Sequence, residues 1–370
     1  MNNFEQNTLG EINQDVNRLQ RILNELNPSN ALNIRFNTGF DSPFERNRIV
    51  FGAPGTGKSH SLKSDCETLL SGTNGTYERV TFYPEYTYNH FVGTYKPVTE
   101  DEVDEHGDTR GEIRYEYVPG PFMRIYVDAL KSGVTEDPQP HLLLIEELNR
   151  AKVAAVFGDI FQLLDRDDDN TSEYEIHTSK DIRKYLAKEL GGSPDDFSKI
   201  TIPDNMFIWA TMNSADQGVF PMDTAFKRRW QFEYIGINQN DDSIKGKTTL
   251  GIGTHALEVE WNCLRKAINE KLVKDYKVNE DKLMGPFFLS KKLIKTNDTD
   301  DLIINPEKFK KAFKSKVIMY LYEDAAKLHK HKLFSGCDSS MYSSVCDAFD
   351  RIGIEIFGDD FRELYDHQGV

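Results

Sequence analysis

Residues 52–59 read Gly-Ala-Pro-Gly-Thr-Gly-Lys-Ser, a full match to G-x-x-x-x-G-K-[ST], and no other stretch of this 370-residue chain restricts its fold so tightly. The pattern works only where a strand delivers the loop and a helix carries the chain away. Both signals are present: the apolar run Ile49, Val50, Phe51 stands directly before it, and a helical pattern starts at Ser59. In that setting the glycines let backbone N–H groups turn inward around phosphates, and the helix start adds its positive end. Lys58 is then the cation for the β/γ oxygens and Ser59 a ligand for Mg²⁺. The candidate nucleotide-binding residues are therefore Gly52, Ala53, Pro54, Gly55, Thr56, Gly57, Lys58 and Ser59.

Strand-like apolar runs at 48–51, 77–82, 141–145, 206–210 and 231–235 alternate with helical patterns. That order predicts an α/β core over 46–237, with a parallel sheet between helices. Two stretches interrupt it. Residues 98–118 are acidic and Gly-containing, then alternate from Ile113 to Val118, which predicts an inserted surface hairpin. Residues 165–200 open with Asp165, Arg166, Asp167, Asp168 and Asp169, an acidic run expected to be solvent-exposed, followed by a short helix at 181–189. Before the core, 1–45 form a short segment with Ile12, Val16, Leu19, Ile22, Leu23 and Leu26 at helical spacing. Beyond it, 238–370 read as a smaller helical lid domain, with helices expected at 257–273, 306–329 and 340–349.

The strand at 141–145 runs into two adjacent acids. A carboxylate that ends such a strand can enter the metal shell, and a second can orient the attacking water. Glu146 is the candidate metal ligand beside Ser59, and Glu147 the candidate catalytic base. Asn213 follows the strand at 206–210, in position to hold a water or the γ-phosphate. A short helix over 223–230 carries Arg228 and Arg229, candidates to stabilise phosphoryl transfer in a neighbouring subunit. Late in the chain, 281–287 read either as a helix start facing the nucleotide, with Gly285 allowing close backbone approach and Pro286 in the first turn, or as a plain turn between lid helices.

Net charge of −15 argues against a chain whose whole surface grips nucleic acid, since that affinity comes mostly from Lys and Arg on phosphates. Basic runs at 227–229 and 308–316 are expected to be solvated faces. Cys66, Cys263, Cys337 and Cys346 have no metal-ligand spacing and read as ordinary thiols. No apolar window is long enough for a membrane span, and the polar first 30 residues lack a secretion signal, so a cytoplasmic protein is expected.

Taken together, these blocks resemble the McrB family of AAA+ motor subunits. Glu146, Glu147, Leu148, Asn149, Arg150, Ala151 is similar to the family's acid pair and Asn-Arg-Ala block, and Met212 to Asp216 to its Met-Asn-Thr-Ala-Asp hallmark. Residues 223–230 resemble its Asp…Arg-Arg-aromatic segment, and Phe82 to Phe91 its upstream aromatic stretch. Two positions depart: Glu146 stands where the family usually has Asp, and Gln217 where the hallmark continues with Arg. With only a short segment before the core, the separate DNA-reading domain of well-known members is not expected here.

The resemblance implies an AAA+ P-loop core with a helical lid, GTP or ATP as substrate with Mg²⁺, and a homo-oligomeric ring, a hexamer. It also implies a McrC-like nuclease partner, with DNA met through the complex. Two other functions fit the same motifs: a MoxR-like or dynein-like ATPase that remodels a protein, and a nucleotide-gated scaffold.

Overall fold

The computed structural model describes residues 33–103, 109–213, 219–297 and 300–368. The expected helix with Ile12 to Leu26 lies outside the described residues, as do Ser214, Ala215, Asp216 and Gln217.

Strand β1 (Asn47–Gly52) leads into the glycine-rich loop, and helix α1 (Lys58–Leu69) leaves it. The chain continues through β2 (Thr76–Thr81), a short α2 (Tyr88–Phe91), the pair β3 (Gly93–Val103) and β4 (Thr109–Pro119), α3 (Pro121–Gly133) and β5 (His141–Glu146). Next come α4 (Val153–Phe157), the two-residue strands β6 (Ile176–His177) and β7 (Lys199–Ile200) with α5 (Lys180–Leu190) between them, and then β8 (Met206–Asn213), α6 (Thr224–Lys227) and β9 (Gln231–Tyr234).

One five-stranded sheet has the order β2-β5-β8-β1-β9, and β5 pairs in parallel with both β2 and β8. Position in the sheet explains composition. Every residue of β5, inside the sheet, is buried, so Leu142–Ile145 reads as an unbroken apolar run. β2, at the edge, is half-exposed and alternates. The architecture is α/β, a parallel sheet with helices around it and a helical C-terminal region.

β3 and β4 form an antiparallel hairpin that already starts at Gly93, because Tyr95 pairs with Tyr117 and their rings meet at 6.1 Å. In the C-terminal region β10 (Lys247–Leu250) pairs with β11 (Leu257–Glu260) before α7 (Trp261–Tyr276) begins. The helix expected from 257 thus starts four residues later. Leu257 and Val259 alternate with Glu258 and Glu260 as a strand does, and the Glu260 carboxylate then caps α7 by accepting from Cys263 N at 2.8 Å. Beyond it lie α8 (Pro306–Ala312), which continues as wider π turns through Phe313–Ile318 and Leu321–Ala325, then α9 (Lys330–Leu333), α10 (Tyr342–Ile352) and α11 (Phe361–His367).

The described residues form two compact units. The first comprises 33–49, 64–103, 109–210 and 219–231. Its aromatic core runs Phe82, Phe91, Phe157, Phe226, Trp230 in successive ring contacts of 4.8–5.7 Å. The second comprises 50–63, 211–213, 232–297 and 300–368, built around Trp261, Leu264, Ile268, Phe309, Phe313, Leu321 and Phe349. The glycine-rich loop therefore packs with the helical region. Cys66, Cys263, Cys337 and Cys346 are free, and among the described residues no helix is long and apolar enough to cross a membrane.

Candidate nucleotide site

In the second unit the loop has the strained backbone its glycines permit: φ is +77° at Gly55 and +94° at Gly57, which L side chains rarely adopt. Lys58 opens α1 and is buried, its Nζ donating back to Gly52 O at 3.0 Å and Ala53 O at 2.9 Å. The Thr56 hydroxyl also donates to Ala53 O, at 2.9 Å. Ser59 is exposed one residue further along, and Asn213 ends β8 half-buried in the same unit.

The outer side of the loop is held by the segment from the lid. Gly285 N donates to Pro54 O and Phe287 N to Gly55 O, both at 2.8 Å. Pro286–Phe288 form a single 3-10 turn with Gly285 as its cap and Pro286 in the first position. The sequence left a helix start and a plain turn open. Here the segment is a helix-like turn whose backbone bonds to the phosphate loop itself.

In the first unit Glu146 ends β5 buried, with Oε1 2.7 Å from Arg79 Nη2 on β2. Parallel register sets Thr81 opposite Glu146 and Arg79 opposite Leu144, so the arginine reaches diagonally to the carboxylate. Glu147 follows at φ +57° and ψ +45°, left-handed backbone that costs a non-glycine residue about 1 kcal/mol. The extended backbone of β5 ends there. A 3-10 turn, Leu148–Arg150, then closes with Arg150 N on Glu147 O at 2.9 Å, and Arg150 Nε lies 3.3 Å from Glu147 Oε2.

The two arginines after α6 differ. Asp223 caps that helix by accepting from Phe226 N, Phe226 anchors it in the aromatic core, and both arginines lie just past its end. Arg229 is clamped: Nη2 is 2.7 Å from Asp165 Oδ2, Nη1 donates to Ala225 O at 2.7 Å, and its guanidinium lies 4.0 Å over the Phe161 ring. Its side chain is 9% exposed. That of Arg228 is 65% exposed and only 3.9 Å from the same Asp165 oxygen. Asp165 is thereby a correction to the exposed acidic run. Asp167, Asp168 and Asp169 are exposed, but Asp165 is half-buried because it neutralises Arg229.

Sequence reasoning missed Arg79 and the Asp165–Arg229 pair. Neither has a local signal, since each depends on which elements become neighbours.

The AAA domain (dynein-related subfamily) model matches residues 47–230. The chain is 40% identical over 319 residues to the type II restriction enzyme BsuMI component YdiS of Bacillus subtilis, covering 82% of this chain and 86% of that protein. It is 23% identical over 190 residues to the type IV methyl-directed restriction enzyme EcoKMcrB subunit of Escherichia coli, 51% of this chain and 35% of that one. A solved candidate ATPase from Cytophaga hutchinsonii aligns over 98% of this chain and 86% of its own, at 12% identity and a TM-score of 0.30, too low to bear on the fold. With 40% identity across most of a restriction-enzyme component, and the AAA domain match over 47–230, this chain belongs to the McrB-like AAA+ NTPase family.

Proposed function

We propose that this protein is a Mg²⁺-dependent nucleoside triphosphatase, acting on GTP or ATP, that serves as the oligomeric motor or regulatory subunit of a McrBC-like restriction or antiphage complex. The observation that carries this reading is the phosphate loop, with Gly55 and Gly57 in left-handed backbone and Lys58 buried behind it. Its nucleotide contacts are to phosphates, which GTP and ATP share. A McrC-like nuclease would cut, and DNA would be engaged by the complex rather than by this chain alone. The two relatives are named as a component and a subunit of restriction enzymes, which supports an assembly.

Ser59 offers a hydroxyl and Glu146 a carboxylate, hard oxygen donors of the class that Mg²⁺ takes, so these residues fit the ion. Bound there, Mg²⁺ would offset triphosphate charge. Lys58 binds the β/γ oxygens, Glu147 orients and deprotonates the attacking water, and Asn213 holds that water or the γ-phosphate. Arg79 fixes the Glu146 side chain, whose extra methylene over Asp adds a torsion to restrain.

Two substitutions test the division of labour. Glu147→Gln should bind Mg-NTP as the wild type does and lose about 10²–10⁴-fold in turnover, because the amide keeps the shape but takes no proton. Glu146→Gln should instead raise the Mg²⁺ concentration needed for nucleotide binding. Exchange of these phenotypes between the two variants would refute the assignment. Arg79→Met, which retains the stem and drops the charge, should raise the Mg²⁺ requirement about threefold to tenfold, from one lost charge-assisted bond. An unchanged Mg²⁺ titration would make Arg79 an ordinary surface ion pair.

A further inference from the structure

The segment that bonds the phosphate loop is itself held by one face of α7. Trp261, Arg265 and Asn269 recur every four residues, so their side chains form a single stripe. Trp261 Nε1 donates to Pro286 O at 2.8 Å, and Arg265 Nη1 to Met284 O at 3.0 Å. Asn269 pairs with Met284 in both directions, donating to its carbonyl at 2.9 Å and accepting from its N–H at 3.0 Å. Arg265 is fully buried and also grips the chain that leaves β9, through Ile237 O at 3.3 Å and Asn238 Oδ1 at 3.0 Å. Burial pushes its pKa down to about 10, against the pull of Asp241, so it stays a cation at neutral pH.

From Met284 the connection passes to the loop with nothing between. Gly285 N and Phe287 N occupy the carbonyls of Pro54 and Gly55. In a planar trans peptide the C=O and the following N–H point in opposite directions. Fixing those two carbonyls outward therefore aims the N–H groups of Gly55 and Thr56 to the other side, where a phosphate cradle needs them. The fit is close: a Cβ on Gly285 would lie 2.4 Å from Gly55 C and O and 2.5 Å from Thr56 N.

We propose that Trp261, Arg265 and Asn269 are positioning residues for nucleotide binding, which act through the backbone of 284–287 to orient the phosphate-binding amides of Gly55 and Thr56. The lid helix and the loop then move as one hydrogen-bonded body, and nucleotide affinity depends on residues that touch no nucleotide. This rests on the reading of residues 52–59 as the triphosphate site.

The test uses a fluorescent GTP or ATP analogue and the full-length protein, with the melting midpoint recorded for each variant. Trp261→Phe retains the packed ring and removes only the donor, and should weaken nucleotide binding about threefold to tenfold. Gly285→Ala should weaken it more than tenfold. Gly285 lies at φ −76°, which alanine accepts, so the added methyl conflicts only with the loop. Combining the two should weaken binding by less than the product of the single effects, since both act through one segment. Lys58→Ala is run in parallel. If Lys58→Ala binds like the wild type, the triphosphate reading itself fails. If Lys58→Ala does not bind, but Trp261→Phe and Gly285→Ala bind normally and only melt earlier, the stripe is lid core alone and the proposal is overturned.

Discussion

Replacing Lys58 with alanine should weaken nucleotide binding severely and abolish turnover while leaving the fold standing. The ammonium is buried and satisfied by two carbonyls of its own loop, so the protein retains a cation there at the cost of desolvating it. Charge-assisted hydrogen bonds to phosphate oxygens each contribute about 1.5–3 kcal/mol, and a lysine can make more than one, so a loss of about 10²–10³ in affinity is expected. Titration calorimetry with GTP and with ATP, in Mg²⁺ and in EDTA, measures it directly. Lys58→Met fills more of the vacated space and should fail in the same way, which separates lost charge from lost packing. Hydrolysis at the wild-type rate by either variant would remove the loop from the reaction.

The second large effect is expected from the arginines, and the two should not behave alike. Arg228 is exposed and weakly held, so in the assembly proposed above it is the arginine a neighbouring subunit could use. Arg228→Ala should lose about 10³-fold or more in turnover, at the scale of an arginine finger, with nucleotide affinity and melting midpoint unchanged. Arg229 is held by Asp165, Ala225 O and Phe161. Its removal strands a half-buried carboxylate, and Arg229→Ala should lower stability by about 2–3 kcal/mol. If Arg228 serves a neighbour, turnover per subunit rises with protein concentration. Mixing Arg228→Ala with Glu147→Gln should also restore part of the activity, since some interfaces then join an intact arginine to an intact base. Concentration-independent turnover, together with a fully active Arg228→Ala, would show that no arginine is shared.

Much of this is legible in the sequence, for a physical reason. The loop motif and the five apolar runs are local patterns, and the sheet has its strands where those runs stand. What escaped depends on neighbours. Arg79 is one charge in an edge strand until β2 is set beside β5, and Asp165 is one acid in an acidic run until Arg229 turns back on it. The strand at Leu257–Glu260 was hidden for a different reason. Its two-residue alternation is short and merges into the helical period that follows, and the cap at Glu260 marks the change only once its bond to Cys263 is seen.

The left-handed backbone at Glu147 has a consequence for how this position can evolve. Asparagine or glycine would sit there with less strain, so selection for thermal robustness alone would drift away from glutamate. With Glu147 as the base proposed above, selection for turnover would pull the other way. Lineages that abandon hydrolysis while retaining the fold should be recognisable by the residue they settle on at 147.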